Sequence, residues 1–180
     1  MIKCRYWTPV IIISGLLFFF ARGLHLSVGE IQSPLIDKAA PHFSLPSLFE
    51  PGQQLSQEIF KDKITLLNVW SSWCHSCLYE HSFLLQLKGQ PQLQLIGLNY
   101  KDQPHDALRW LKQHGDPYEK VVVDWDGAVA IDYGVYGTPE TYVIDQQGII
   151  RYKYAGVLDK TIWQNHINPL LERLKHDTIS

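Results

Sequence analysis

Ile64-Thr65-Leu66-Leu67-Asn68-Val69-Trp70-Ser71-Ser72-Trp73-Cys74-His75-Ser76-Cys77 is the stretch on which the fold of this chain turns. The run from Ile64 to Trp70 is of strand length and nearly continuous in apolar character, as expected of a central strand covered on both faces. Beyond it, Leu78, Phe83, Leu84, Leu85 and Leu87 recur at a spacing that fits a helix with one buried side, predicted over 77–87. The two thiols therefore stand where a buried strand hands over to a helix. A thiol near a helix N-terminus faces unpaired backbone N–H groups and the positive end of the macrodipole, which favours its thiolate. Cys74, first in the motif and at the expected N-cap, is the nucleophile candidate; Cys77, expected to be more buried, is placed to resolve a mixed disulfide.

Working outward, the remaining elements alternate. A short strand is predicted at 41–45, a strand at 92–99, a helix around Ala107-Leu108-Trp110-Leu111 ended by Gly115-Asp116-Pro117, a strand at 121–123 and a short helix at 128–133. Two strands, 141–145 and 149–154, are joined by a Gln146-Gln147-Gly148 turn, and 160–174 closes the chain as an amphipathic helix. Strand and helix in this order describe an α/β domain, a central mixed sheet flanked by helices, with the cysteines at the C-terminal end of a strand, where open α/β sheets place their sites.

Lys3 and Arg5 precede the uncharged stretch from Tyr6 to Ala21, and Arg22 closes it. At somewhat under the ~17–25 residues of a spanning helix, it reads as an N-terminal membrane anchor, with a cleaved signal peptide as the alternative. The positive flank stays in the cytoplasm in either case, and the domain is exported. The expected organisation is 1–23 anchor or signal, 24–38 linker and 39–180 domain. Of the three cysteines, Cys4 lies before the apolar stretch and is given no role. A lone Cys-x-x-Cys pair in a 180-residue chain that needs no staple is more readily catalytic than structural. Structural zinc needs four ligands, and no second Cys-x-x-Cys or close His pair accompanies these, so neither metal nor other cofactor is called for. A formal charge of -2, a pI of 6.4 and the lack of a basic stripe argue against nucleic acid as a partner.

Further site residues come from the same two regions. Glu80 follows Cys77 by three residues and, on a helix, projects from the same face; its bland alternative is a solvated surface position. Glu140 follows Pro139 and approaches from the opposite loop. A carboxylate near a thiolate raises the thiol pKa by like-charge repulsion. Tyr136 is either a hydroxyl donor at the site or a packed ring, and His75 either a charge beside Cys74 or an exposed spacer. Thr138-Pro139, weak alone, gains weight beside Trp73-Cys74-His75-Ser76-Cys77: a cis-proline there offers the backbone of Thr138 to an extended peptide.

The residues Asn68 to His81, with Gly97-Leu98-Asn99-Tyr100-Lys101-Asp102 and Gly134-Val135-Tyr136-Gly137-Thr138-Pro139-Glu140-Thr141, resemble the thioredoxin superfamily and, within it, the membrane-anchored DsbE/CcmG group of cytochrome c maturation. The likeness continues through Ile144-Asp145, Gly148-Ile149-Ile150-Arg151-Tyr152 and Ala155-Gly156, so it covers nearly everything from about Ala39 onward. Generic thioredoxins usually carry Asp where Asn68 stands; in this group Asn is accompanied by acidic residues matching Glu80 and Glu140 and a tyrosine matching Tyr136. The resemblance implies a thioredoxin-like fold and a single-pass protein of the bacterial inner membrane with its catalytic domain in the periplasm. It further implies a thiol:disulfide oxidoreductase that keeps apocytochrome c, or a maturation partner, in the dithiol form before haem attachment, supplied by a transmembrane thiol reductase. Cys74, Cys77 and Glu80 would carry the chemistry, Cys74 and Cys77 forming the redox disulfide. Trp73, Tyr136, Thr138, Pro139 and Glu140 would bind substrate. The chain departs from the group between its cysteines, where Pro is common at the position of His75. The competing readings are a general periplasmic thioredoxin-like enzyme, a thiol peroxidase prompted by Ala40-Pro41-x-Phe43, and a non-catalytic peptide-docking module.

Overall fold

The computed structural model describes residues 4–25, 33–91 and 93–177. Two units are distinguished, Met1–Ile31 and Gln32–Ser180. In the first, Cys4–His25 forms helix α1, with Pro9 inside it. Among the described residues no helix is long and apolar enough to cross a membrane. The segment expected as an anchor is helical from Cys4 to His25.

The second unit is built around strand β4 (Ile64–Trp70), whose seven residues are all buried. Because successive side chains point to opposite faces, Ile64, Leu66 and Trp70 enter one apolar layer while Leu67 and Val69 enter the other. Asn68, an even position, faces the same side as Trp70. β4 pairs in parallel with β5 (Leu93–Tyr100) and antiparallel with β7 (Glu140–Ile144). β6 (Lys120–Asp124), β8 (Ile149–Ala155) and β1 (Lys38–Ala39) complete a mixed sheet of order β1-β8-β7-β4-β5-β6. The hairpin between β7 and β8 closes where Asp145 Oδ1 accepts the N–H groups of Gln147 and Ile149, both at 2.9 Å. A small second sheet pairs β2 (Ser44–Pro46) with β3 (Gln54–Ser56).

The layer holding Trp70 lies against α2 (His75–Leu87), α3 (Pro104–His114) and the C-terminal helices; α4 (Ala128–Asp132) lies on the opposite side. α2 starts two residues before the predicted helix because Cys74 itself is the N-cap. The predicted closing helix is interrupted. α5 (Lys160–Ile162) passes through a π turn at Trp163–Ile167 into α6 (Asn168–Asp177). Pro169 explains the widening: without an N–H, and with its ring pressing on the carbonyl four residues back, it prevents a regular turn ahead of it. The first short strand lies at Ser44–Pro46, not over the expected 41–45, and β1, β3 and the 3-10 turn Gln57–Phe60 are further elements beyond those expected. The last residues of the expected linker form a hydrogen-bonded turn, with Ile36 N–H donating to Ser33 O at 3.1 Å and Lys38 N–H to Leu35 O at 3.1 Å.

The register of β4 against β7 brings the two sequence-distant motifs together. Val69 lies opposite Glu140 and Asn68 opposite Thr141, so the loop after β4 and the loop before β7 emerge at the same end of the sheet.

Candidate active site

Cys74 and Cys77 are joined in a disulfide, with their Cα atoms 5.4 Å apart. Cys74 has extended backbone angles and caps α2, and the N–H of Cys77 points at its sulfur at 3.1 Å. That donor is one of the helix's unpaired N–H groups, and in the reduced protein it is placed to stabilise a Cys74 thiolate. Cys74 is slightly more accessible than Cys77, 6% against 2%, a smaller contrast than the sequence suggested. The approach to the sulfurs is held from both flanks. Trp73 is exposed, and its indole N–H donates to Lys101 O at 3.0 Å. Asp102, buried, accepts Ser72 N–H at 2.6 Å, Ser72 Oγ–H at 2.7 Å and Asn99 Nδ2–H at 2.9 Å, fixing the start of the cysteine loop to the end of β5.

Beneath the disulfide lies a buried polar chain. Glu80, 1% exposed, is one helical turn after Cys77 and accepts Asn68 Nδ2–H at 2.7 Å and Leu158 N–H at 2.8 Å. Burial pushes its carboxyl up to about 7, against the two hydrogen bonds that favour the ionised form. Asn68 also reaches Thr141 Oγ1 at 3.3 Å and accepts Tyr118 Oη–H at 2.7 Å. Burial holds the Tyr118 phenol well above its ordinary value, so it remains a donor. Asn68 is thereby the junction between β4, β7, α2 and the segment carrying Tyr118. His81, the next buried polar residue on α2, donates from Nε2 to Gly115 O at 2.9 Å and packs edge-on against Trp110; its burial lowers the imidazole pKa.

The Thr138-Pro139 peptide bond is cis. Beside it a cavity of about 380 Å³ is bordered by Ser76, Tyr136, Gly137, Thr138, Pro139 and Glu140 together with Ala155, Gly156 and Val157, so it adjoins the cysteine loop through Ser76. Tyr136 is 75% exposed and stands at the mouth. Glu140 does not turn to the sulfurs: its oxygens accept Tyr136 N–H at 2.8 Å and Tyr142 Oη–H at 3.0 Å and pair with Lys153 at 3.0 Å. His75 is exposed, with Nε2 3.2 Å from Tyr79 Oη. The structure thus joins Asn68 and Glu80 in one buried hydrogen-bonded chain, with Glu80 one helical turn from the buried Cys77, and brings Tyr136, Thr138, Pro139 and Glu140 into a groove that Ser76 also borders.

Four contributors escaped the sequence reading. Asp102 ends the stretch Gly97–Asp102, which shares the family likeness but implies no role for it, and Tyr118 and the Leu158 N–H carry no local signal. Lys153 alternates with Arg151 along β8 as charges on a solvated strand do, yet its side chain is only 5% exposed.

A dithiol/disulfide couple at a helix N-terminus, with a buried carboxyl near neutrality and a groove suited to extended backbone, can exchange disulfides with a peptide. The chain is similar to proteins that bear such a name. The Redoxin family model matches residues 36–168. Thiol:disulfide interchange protein DsbE of Allochromatium vinosum is 44% identical over 161 residues, 89% of this chain and 87% of that protein. The protein of the same name in Escherichia coli K12 is 45% identical over 145 residues, 80% of this chain and 78% of that one. Among solved structures, a thiol-disulfide oxidoreductase from Bacteroides fragilis superposes with a TM-score of 0.62 at 24% identity, covering 74% of this chain and 99% of that one. A secreted thiol-disulfide isomerase from Corynebacterium glutamicum gives a TM-score of 0.62 at 24% identity, over 74% and 85% of the two chains, a likeness of fold.

Proposed function

We propose, from the premise that this chain belongs to the Redoxin family and is a thiol:disulfide oxidoreductase of the DsbE/CcmG type, that it works as a reductant held at the bacterial inner membrane. Its domain would face the periplasm. There it reduces disulfides of apocytochrome c, or of a maturation partner, before haem attachment, and is itself re-reduced by a transmembrane thiol reductase. The positive flank of Lys3 and Arg5 ahead of the uncharged stretch from Tyr6 to Ala21 supports export of the domain across that membrane.

One observation carries the direction of electron flow: Glu80, buried and one helical turn from Cys77, is held at about 7. Residues three apart on a helix are neighbours, with Cβ atoms about 5–6 Å apart. When ionised, Glu80 opposes a thiolate at the site, and a dithiol whose thiolate is less stabilised gives up its electrons more readily. In the forward reaction the Cys74 thiolate attacks one sulfur of the substrate disulfide. That bond breaks, the leaving sulfur takes a proton, and a mixed disulfide remains. Cys77 then loses its proton toward Glu80 and attacks Cys74 Sγ. The second substrate sulfur leaves as a thiol and the Cys74–Cys77 bond forms, two electrons having passed to the substrate. A carboxyl near 7 is suited to accept that proton and release it again at neutral pH.

Replacing Cys77 with Ser blocks the second step, so full-length C77S expressed in its cell envelope should accumulate mixed disulfides on Cys74. Mass spectrometry of the trapped species should identify apocytochrome c or a maturation partner. Recovery of many unrelated envelope proteins in comparable amounts would replace this reading with a general periplasmic thioredoxin-like enzyme. A wild-type protein found wholly oxidised in cells with an intact donor pathway would refute the reductant role.

A further inference from the structure

The groove beside Pro139 has one acidic residue in its wall, Glu140, and that carboxylate is matched from behind by a lysine. Lys153 Nζ lies 3.0 Å from Glu140 Oε2, their side chains 5% and 2% exposed. The pair is committed to the loop that borders the groove. Lys153 also donates to Gly134 O at 2.6 Å, and its ammonium lies 4.6 Å from the Tyr136 ring centroid and 5.3 Å from that of Tyr142. Glu140 in turn accepts the Tyr136 N–H at 2.8 Å. Segment 134–136 is thus gripped at a carbonyl, an N–H and a ring by the two ends of one ion pair. The other residues bordering the cavity, among them Ser76, Gly137, Thr138 and Pro139, are uncharged.

A buried charge is tolerated where a partner and hydrogen bonds complete its surroundings, and losing one partner leaves the other exposed to whatever approaches. Here what approaches is substrate. We propose that Lys153 is a specificity-determining positioning residue of the peptide groove: it cancels the Glu140 charge and braces Tyr136, so that the site grips extended main chain irrespective of the charges on the peptide. This deepens the peptide-reductase reading and rests on it. Indifference to side-chain charge suits a reductant whose substrates share a cysteine pair and little else.

The test compares two disulfide peptides that differ only in acidic or basic residues beside the cysteines, reduced by the full-length dithiol protein at low ionic strength. Wild type should show KM values for the two within about two-fold. K153M should raise KM for the acidic peptide at least ten-fold over the basic one with kcat changed less than two-fold, and E140Q should show the opposite bias through the unmatched ammonium. The double variant E140Q/K153M and the conservative K153R should return the ratio to parity, and added salt should shrink each bias. Thermal melts of every variant report folding, and if K153M does not fold, E140Q alone still decides the outcome. Parity in both single variants, or a fall in kcat equal for both peptides, overturns the role of Lys153. Failure of the wild type to reduce either peptide overturns the parent reading and this one with it.

Discussion

Replacing Glu80 with Gln should change how stability depends on pH by an amount set by burial. The carboxyl is displaced from 4.5 to about 7 by desolvation, which outweighs its hydrogen bonds from Leu158 and Asn68. Between those values the native protein holds a proton that the unfolded chain has released. The Glu80 contribution to stability is therefore fully present below about pH 4.5, declines as pH rises toward about 7 and is flat above. A displacement of about 2.5 pH units at 1.36 kcal/mol each amounts to about 3 kcal/mol. The glutamine side chain of E80Q does not titrate, but its amide has one acceptor for two facing donors, which costs about 1–2 kcal/mol at every pH. The stability of E80Q relative to wild type should therefore rise by about 3 kcal/mol between pH 4.5 and 7.5. Urea denaturation of the oxidised proteins at intervals across that range measures this, with the disulfide intact so that neither cysteine titrates. His81 acts with the opposite sign. Its lowered pKa means that the unfolded chain binds protons below 6.5 that the native state does not, so its contribution is lost as pH falls. Asp124 is raised by burial as well. Both groups remain in the variant, and the difference curve isolates Glu80. A difference that stays flat to within 1 kcal/mol would falsify the burial argument and, with it, Glu80 as a proton carrier poised near neutrality.

Two further substitutions probe the supports of the site. Gly97→Ala would set a Cβ 2.7 Å from Trp70 Nε1 and 3.1 Å from Val121 Cγ2, in a layer where Trp70 is fully buried and stacked on Tyr118. With no room to turn, it should lose about 1–3 kcal/mol by urea denaturation. Asp102→Ala strips the Ser72 N–H, Ser72 hydroxyl and Asn99 amide of their common acceptor. It should cost about 2–3 kcal/mol and speed hydrogen exchange at the Ser72 amide, and an unchanged exchange rate there would show that the cysteine loop is fixed by something else.

The sheet was legible wherever the chemistry was local. β4 matched its predicted bounds because seven buried residues in a row leave no solvated face to mark, and the Gln146-Gln147-Gly148 turn was marked by a glycine that adopts a φ of 81°. α3 was legible through its apolar face and the Gly115 that ends it. Strand β1, two residues long, is defined by its pairing with β8, and no local pattern encodes a partner so far away in sequence. The π turn shows the converse: Pro169 was visible, but a periodicity reading counts apolar faces and passes over a missing N–H. In the site, the two cysteines and the cis-proline were readable from motif and spacing. Glu80 was ambiguous, since a glutamate on a helix is ordinarily solvated, and only the approach of β4 and Leu158 makes it buried. For Glu140, sequence proximity to Pro139 suggested the sulfurs, whereas the antiparallel register places Lys153 opposite Tyr142 and within reach of the carboxylate.

The antiparallel pairing of β4 with β7 also bears on how such a protein diverges. Val69 opposite Glu140 and Asn68 opposite Thr141 fix the cysteine loop and the cis-proline loop to adjacent strands. His75 belongs to the helix start and does not border the groove, whereas Ser76, its neighbour between the cysteines, does. β8 bears on the groove through Ala155, which lines it, and through Lys153, which pairs with Glu140. The couple and the groove therefore meet at Ser76, and a change there bears on both. A single-residue insertion in β7 would disturb both at once, because it turns Glu140 and Thr141 to the wrong faces of the sheet.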